Sequence, residues 1–260
     1  MSSIRPWILA ARPKTLFATL APIIVGISLS YKISNTIDWC LTSLIILSAV
    51  LLQIGSNYAN DAYDYLKGAD SQSRKGPKRM VQDGVLSANT VLNVMYIIFT
   101  LSVLIGYFLV KIGGWPIIVI GLSSIIFAII YTGGPYPLAY NGLGEITVFI
   151  FFGIIATVGT VYLQIVNSGF YFNLFSLEIF VAASSVGLLN TAILVVNNLR
   201  DIESDKLADK KTLAVKFGHQ FACYEFSLLL IINCLCYIWL ALKWSNYSFI
   251  IAAILIAIPS

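Results

Sequence analysis

Apolar residues in this chain neither alternate nor keep to one helical stripe; they come in nearly unbroken runs. LTSLIILSAVLLQIG, residues 41–55, is one of them. Comparable runs occupy 15–31, 40–60, 91–111, 115–131, 144–165, 174–196 and 221–242, and an eighth begins at Tyr247 and continues to the end. A bilayer core of roughly 30 Å needs about 17–25 apolar residues in helical form. Continuous runs also argue against a membrane β-barrel, whose strands alternate. The predicted fold class is therefore all-α, a polytopic transmembrane helical bundle of about eight candidate helices. No linker or low-complexity stretch divides the chain, so residues 1–260 are expected to form a single domain.

Composition agrees. Residues are 58% hydrophobic and 11% charged, against about 25% charged in soluble domains. The first run follows Arg5, Arg12 and Lys14 and contains Pro22; lacking a small-residue cleavage pattern, it reads as a retained helix. Basic residues set the orientation. Thirteen of the sixteen Lys and Arg fall on the side that holds the N-terminus and the loops after the second and sixth runs, leaving only Lys32, Lys111 and Lys243 opposite. That asymmetry places the N-terminus and both polar loops in the cytoplasm, with the chain in the cell membrane. The net charge of +4 is thus a topology signal and does not imply nucleic acid. Cys40, Cys223, Cys234 and Cys236 lie in or near apolar runs with no C-x-x-C pair, as expected of small packing residues.

Polar chemistry concentrates in two places, about 61–90 and 197–219. Asn57-x-x-x-Asp61-x-x-Asp64 closes the second run, and Asn197-x-x-x-Asp201-x-x-x-Asp205 closes the sixth; basic residues follow each. Four runs lie between them, so both emerge on one face, a layout that hints at an internal repeat. At 100° per residue, Asn57, Asp61 and Asp64 fall within about 60° on a helix, and Asn197, Asp201 and Asp205 within about 80°. Asp70 falls off the first stripe. Two unit charges ~6 Å apart repel by roughly 3 kcal/mol at an effective dielectric of 20, so such stripes need a cation. Carboxylate and amide oxygens suit Mg²⁺, which binds through one or two carboxylates plus substrate phosphates. Neighbouring Arg and Lys then hold the remaining oxygens of a diphosphate. Two alternatives stand beside this: acids and bases that merely cap solvated helix ends, and an ion or proton pathway, although no acid lies midway through a run.

The residues RPKT (12–15), NYANDAYDYLKGAD (57–70), GPKRMVQDG (76–84), YTGGPYPLAYNGLGE (131–145) and NNLRDIESDKLADKKTLAV (197–215) resemble the UbiA superfamily of membrane prenyltransferases. Within it they are similar to the branch that prenylates 1,4-dihydroxy-2-naphthoate in menaquinone synthesis. The resemblance implies transfer of a polyprenyl group from its diphosphate to dihydroxynaphthoate with loss of CO₂, giving demethylmenaquinone, with Mg²⁺ as cofactor. It assigns Asp61, Asp64, Asp201 and Asp205 to the metal and diphosphate, with Asn57 and Asn197 lining the same site. Arg79 and Lys14 match positions that meet phosphate or acceptor carboxylate; Arg200 and Lys210 are weaker matches of that kind. Tyr131 matches a tyrosine near the reacting groups, and an interfacial anchoring aromatic accounts for it equally well. The partners implied are the two substrates and the lipid bilayer, without nucleic acid or an obligate protein.

Three departures from the family pattern matter. Pro135 and Pro137 stand where some relatives place a basic residue, so cations must come from elsewhere. Asp209 stands where this branch usually has glycine. The superfamily usually has nine helices, and this sequence stops inside the eighth, as a truncated product would. Other readings are prenylation of a different aromatic acceptor, of the 4-hydroxybenzoate or homogentisate type, and more remotely a cation-coupled transporter. His219 reads as a helix-start residue, and Glu145 as an acid favoured at a helix N-terminus.

Overall fold

The computed structural model describes residues 4–69, 79–170, 173–174 and 176–257. All regular structure among them is helical. A short α1 (Arg5–Ala11), broken by Arg12 at φ 50°, leads through a 3₁₀ turn (Pro13–Thr15) into α2 (Leu16–Ser34). Then follow α3 (Trp39–Leu66), α4 (Ala88–Gly113) and α5 (Trp115–Ile130). Next, α6 (Gly144–Phe149), a π-helical turn (Ile150–Ile155) and α7 (Ala156–Ser168) run as one continuous span. The long α8 (Leu177–Arg200) precedes two short helices, α9 (Ile202–Leu207) and α10 (Leu213–Phe217), and then α11 (His219–Trp244) and α12 (Ser248–Ala257).

Each predicted apolar run finds its helix. Six spans are long and apolar enough to cross a membrane, whereas α5 has 16 residues and α12 has 10. The end of α3 lies beyond the run at 40–60, because the helix continues through the acidic residues to Leu66. Its 28 residues extend about 42 Å, longer than a hydrocarbon core of about 30 Å. The turns carrying Asn57, Asp61 and Asp64 thus reach the membrane edge. Asp38 starts this helix by accepting the Leu41 N–H at 2.9 Å.

The second stripe is built differently. α8 stops at Arg200, Asp201 takes φ −98° and ψ 9°, and α9 restarts at Ile202. Its i,i+4 links survive the break: Asp201 N–H donates to Asn197 O at 3.1 Å and Asp205 N–H to Asp201 O at 2.8 Å. Asp209 has φ 51°, a left-handed backbone that suits glycine. Asp70 and the basic residues Arg74, Lys75 and Lys78 lie outside the described residues.

Packing fixes both stripes. Tyr58, Ala59 and Ala62 of α3 bury against Val91, Met95 and Phe99 of α4, and Met80, Val81 and Leu86 join that cluster, clamping the chain just after Arg79. Across the bundle, a Cβ on Gly153 would stand 2.5 Å from Gly187 Cα, so the π turn and α8 cross almost backbone to backbone. Asn190 of α8 donates its amide to Phe152 O in that turn (3.0 Å) and to Ala18 O of α2 (3.2 Å). Three elements are thereby tied together around a shared interior.

Candidate active site

That interior is a cavity of about 920 Å³ walled by α2, α3, α4, α5, the α6–α7 span and α8. Its far wall is apolar, with Ile23, Ile45, Leu109, Ile117 and Leu163 packed as one cluster. The other end carries the chemistry. Lys14, Asn57, Asp64, Arg79, Tyr131, Asn197, Arg200, Asp201, Asp205 and Lys210 all lie on its wall, so the structure brings together ten of the eleven predicted site residues.

Asp61 is the exception. It is 1% exposed and does not line the cavity. Toward its polar end, α3 turns Gln53, Ser56, Asn57, Asn60 and Asp64 to the cavity, and Asp61 follows Asn60 by about 100° of rotation. Spacing alone centred the stripe one residue too far round. Asn60, which was not singled out, takes the place: its side-chain oxygen accepts from Thr132 Oγ1 at 3.0 Å and its carbonyl from Arg79 at 3.0 Å.

Three of the four acids on the wall, Asp64, Asp201 and Asp205, are each matched to a cation. Arg79 Nη1 stands 2.5 Å from Asp64 Oδ2, with the side chains 4% and 3% exposed. Arg200 makes a two-pronged contact with Asp201, Nε to Oδ1 at 2.8 Å and Nη2 to Oδ2 at 2.7 Å. Lys210 Nζ lies 3.8 Å from Asp205. Such charge-assisted contacts offset the repulsion that the stripes would otherwise generate.

Tyr140 joins the stripes, a role the sequence did not signal. Its hydroxyl donates to Asp64 Oδ1 at 2.8 Å, and its carbonyl accepts from Lys211 N–H at 3.0 Å. Its ring lies 5.4 Å from Lys210 Nζ and 5.7 Å from Lys67 Nζ. Lys67 also donates to Gly134 O at 2.9 Å, so a lysine from α3 reaches the stretch that Pro135 and Pro137 leave without a base.

Asn57 proves to be a strut as much as a liner. Its Nδ2 donates to Ala11 O (2.8 Å) and Thr15 Oγ1 (2.9 Å), which fastens the turn that carries Lys14 onto α3. Tyr131 follows α5 and overhangs Gly144, where a Cβ would stand 3.1 Å from its hydroxyl. Glu145 also lines the cavity, 7% exposed, accepting from Asn198 Nδ2 at 2.9 Å. His219 starts α11, as predicted, and the four cysteines are unpaired thiols.

Among the described residues no three acidic, histidine or cysteine side chains converge into a ready-made metal centre. The donor chemistry nonetheless fits Mg²⁺: hard carboxylate and amide oxygens sit singly around a shared space, the arrangement of an ion that takes its remaining ligands from phosphate and water. A helical membrane bundle with a charged rim and an apolar interior suits a substrate with an anionic head and an oily tail.

The comparisons make that class specific. The UbiA prenyltransferase family profile matches residues 19–260. This chain is 37% identical over 265 residues to the 1,4-dihydroxy-2-naphthoate octaprenyltransferase of Haemophilus influenzae, covering 98% of this chain and 84% of that protein. It is 37% identical to the Escherichia coli protein of the same name, covering 91% and 76%. In three dimensions it is similar to a UbiA homologue from Archaeoglobus fulgidus bound to DMAPP and Mg²⁺, with a TM-score of 0.72 and 17% identity over 96% of this chain and 84% of that one; at that identity the likeness bears on fold. The chain belongs to the UbiA prenyltransferase family.

Proposed function

We propose that this protein transfers a polyprenyl group from its diphosphate to 1,4-dihydroxy-2-naphthoate, with release of diphosphate and CO₂, to give demethylmenaquinol, the reduced form of demethylmenaquinone. The observation that carries the proposal is the pairing of three wall acids with three cations at one end of a cavity whose far wall is mostly apolar. The names of the relatives select the naphthoate acceptor.

Asp64, Asp201 and Asp205, with Asp61 just behind them, would hold Mg²⁺ against the diphosphate. When bound, Mg²⁺ supplies a Lewis acid that neutralises charge on the departing diphosphate. Arg79, Arg200 and Lys210 exchange their carboxylate partners for phosphate oxygens, and Lys14 and Lys67 add positive charge at the rim. Asn57 and Asn197 shape the wall between the stripes. The prenyl chain lies along the apolar end, where exclusion of water protects an allylic carbon that becomes cationic as its C–O bond breaks. Tyr131 offers a neutral hydroxyl beside the reacting groups. The chain acts as one catalytic domain in the cell membrane, with the N-terminus and both Asp-bearing loops on the cytoplasmic side, as the distribution of basic residues supports.

The test is product analysis by mass spectrometry, using purified protein, dihydroxynaphthoate and a mixture of prenyl diphosphates with Mg²⁺. Prenylated naphthoquinol lacking the carboxylate, or the quinone that air oxidation makes of it, is expected. Prenylation of 4-hydroxybenzoate or homogentisate in preference, or no covalent product, would overturn the reading.

A further inference from the structure

Among the described residues, Glu145 is the one acid on the cavity wall that the diphosphate site does not use. It sits in the first turn of α6, 7% exposed. One carboxylate oxygen accepts from Asn198 Nδ2 at 2.9 Å, and the other, Oε2, is buried without a hydrogen-bond partner. No Lys or Arg among the described residues forms a salt bridge with it, in contrast to Asp64, Asp201 and Asp205. Leaving a buried carboxylate oxygen unmet is costly, and the favourable field of a helix N-terminus offsets only part of that cost. Tyr131 overhangs the preceding residue, Gly144, and Asn198 adjoins Asn197 of the second stripe. An acceptor with a hydroxyl to donate would satisfy Oε2.

We propose that Glu145 receives the hydroxyl proton of the aromatic acceptor as the carbon–carbon bond forms, an assignment that rests on the prenyltransferase reading above. The balance is closed within the two substrates and this side chain. The acceptor O–H proton passes to Glu145 while the ring carbon bearing the carboxylate bonds to the first prenyl carbon. The C–O bond of that carbon breaks, with its electron pair leaving on diphosphate, and the ring is left as a ketone. Loss of CO₂ returns the pair from the C–CO₂ bond to the ring, and the ketone oxygen takes the proton back from Glu145. Nothing is oxidised or reduced, and Glu145 ends as it began.

Glu145→Gln keeps the shape and an oxygen for Asn198 but cannot take the proton. With purified protein, dihydroxynaphthoate, a prenyl diphosphate and Mg²⁺, kcat should fall about 100-fold or more, while prenyl diphosphate affinity measured by titration stays within about threefold. An acceptor made more acidic by ring fluorination should narrow the gap to wild type at least about tenfold, because a more acidic hydroxyl depends less on the base. Asn198→Ala, which removes the hydrogen bond but leaves the carboxylate, should cost less than about tenfold. Glu145→Gln turnover within about threefold of wild type overturns the proposal. So does a matching loss of diphosphate affinity, or a gap that fluorination leaves unchanged. Failure of wild type itself to prenylate dihydroxynaphthoate instead overturns the functional reading, so the two failures are distinct.

Discussion

Replacing Arg79 with methionine removes the cation that Asp64 meets at 2.5 Å while keeping a side chain of similar length. Both side chains are nearly sealed, at 4% and 3% exposure. Breaking a buried ion pair from one side costs about 3–5 kcal/mol, mostly from the stranded charge. Asp64 would keep the Tyr140 hydroxyl at 2.8 Å and face the cavity, which argues for the lower end, about 3 kcal/mol. For a chain of this size that lowers the melting temperature by roughly 6–12 °C, measured by thermal unfolding in detergent micelles. Adding Asp64→Asn removes the stranded charge, so the double variant should regain about 2 kcal/mol of the loss. A melting point within about 2 °C of wild type for Arg79→Met, or simple additivity of the two changes, would refute the coupling assigned to this buried pair.

Three further outcomes follow from single contacts. Tyr140→Phe keeps the ring between Lys67 and Lys210 but loses the hydrogen bond to a charged acceptor, worth about 1.5–3 kcal/mol; KM for prenyl diphosphate should rise about tenfold in steady-state assays. Gly153→Ala places a methyl against the backbone of Gly187 and should destabilise the protein by about 2 kcal/mol or more, read from the same melts. Asp209→Gly releases the left-handed strain at φ 51° and should raise stability by about 0.5 kcal/mol with turnover unchanged.

Helices were legible because a bilayer demands length and apolarity, and residues 41–55 or 115–131 carry both signals without reference to anything else. What escaped prediction is short or set by partners. α9 and α10, with six and five residues, leave no run in a polar loop, and a π turn at Ile150–Ile155 looks like any apolar helix until Asn190 and Gly187 are placed beside it. Ten of the eleven predicted site residues reach the cavity, since i,i+4 spacing survives even the break at Asp201. Asp61 does not line the wall, because a stripe read from spacing has no fixed centre: whether 60 or 61 faces inward depends on how α3 is rotated against α4. Tyr140 and Glu145 were visible as letters in the 131–145 segment but acquired meaning only from Asp64 and Asn198, which lie 76 and 53 residues away.

The central claim is that two stripes from distant parts of the chain clamp one metal-bridged diphosphate. Calorimetric titration of the purified protein with a prenyl diphosphate, with and without Mg²⁺, tests it for wild type, Asp64→Asn and Asp201→Asn. The account predicts one Mg²⁺-dependent site per chain, weakened at least about 100-fold by either substitution. Binding that ignores Mg²⁺, or that survives the loss of either carboxylate unchanged, would contradict it.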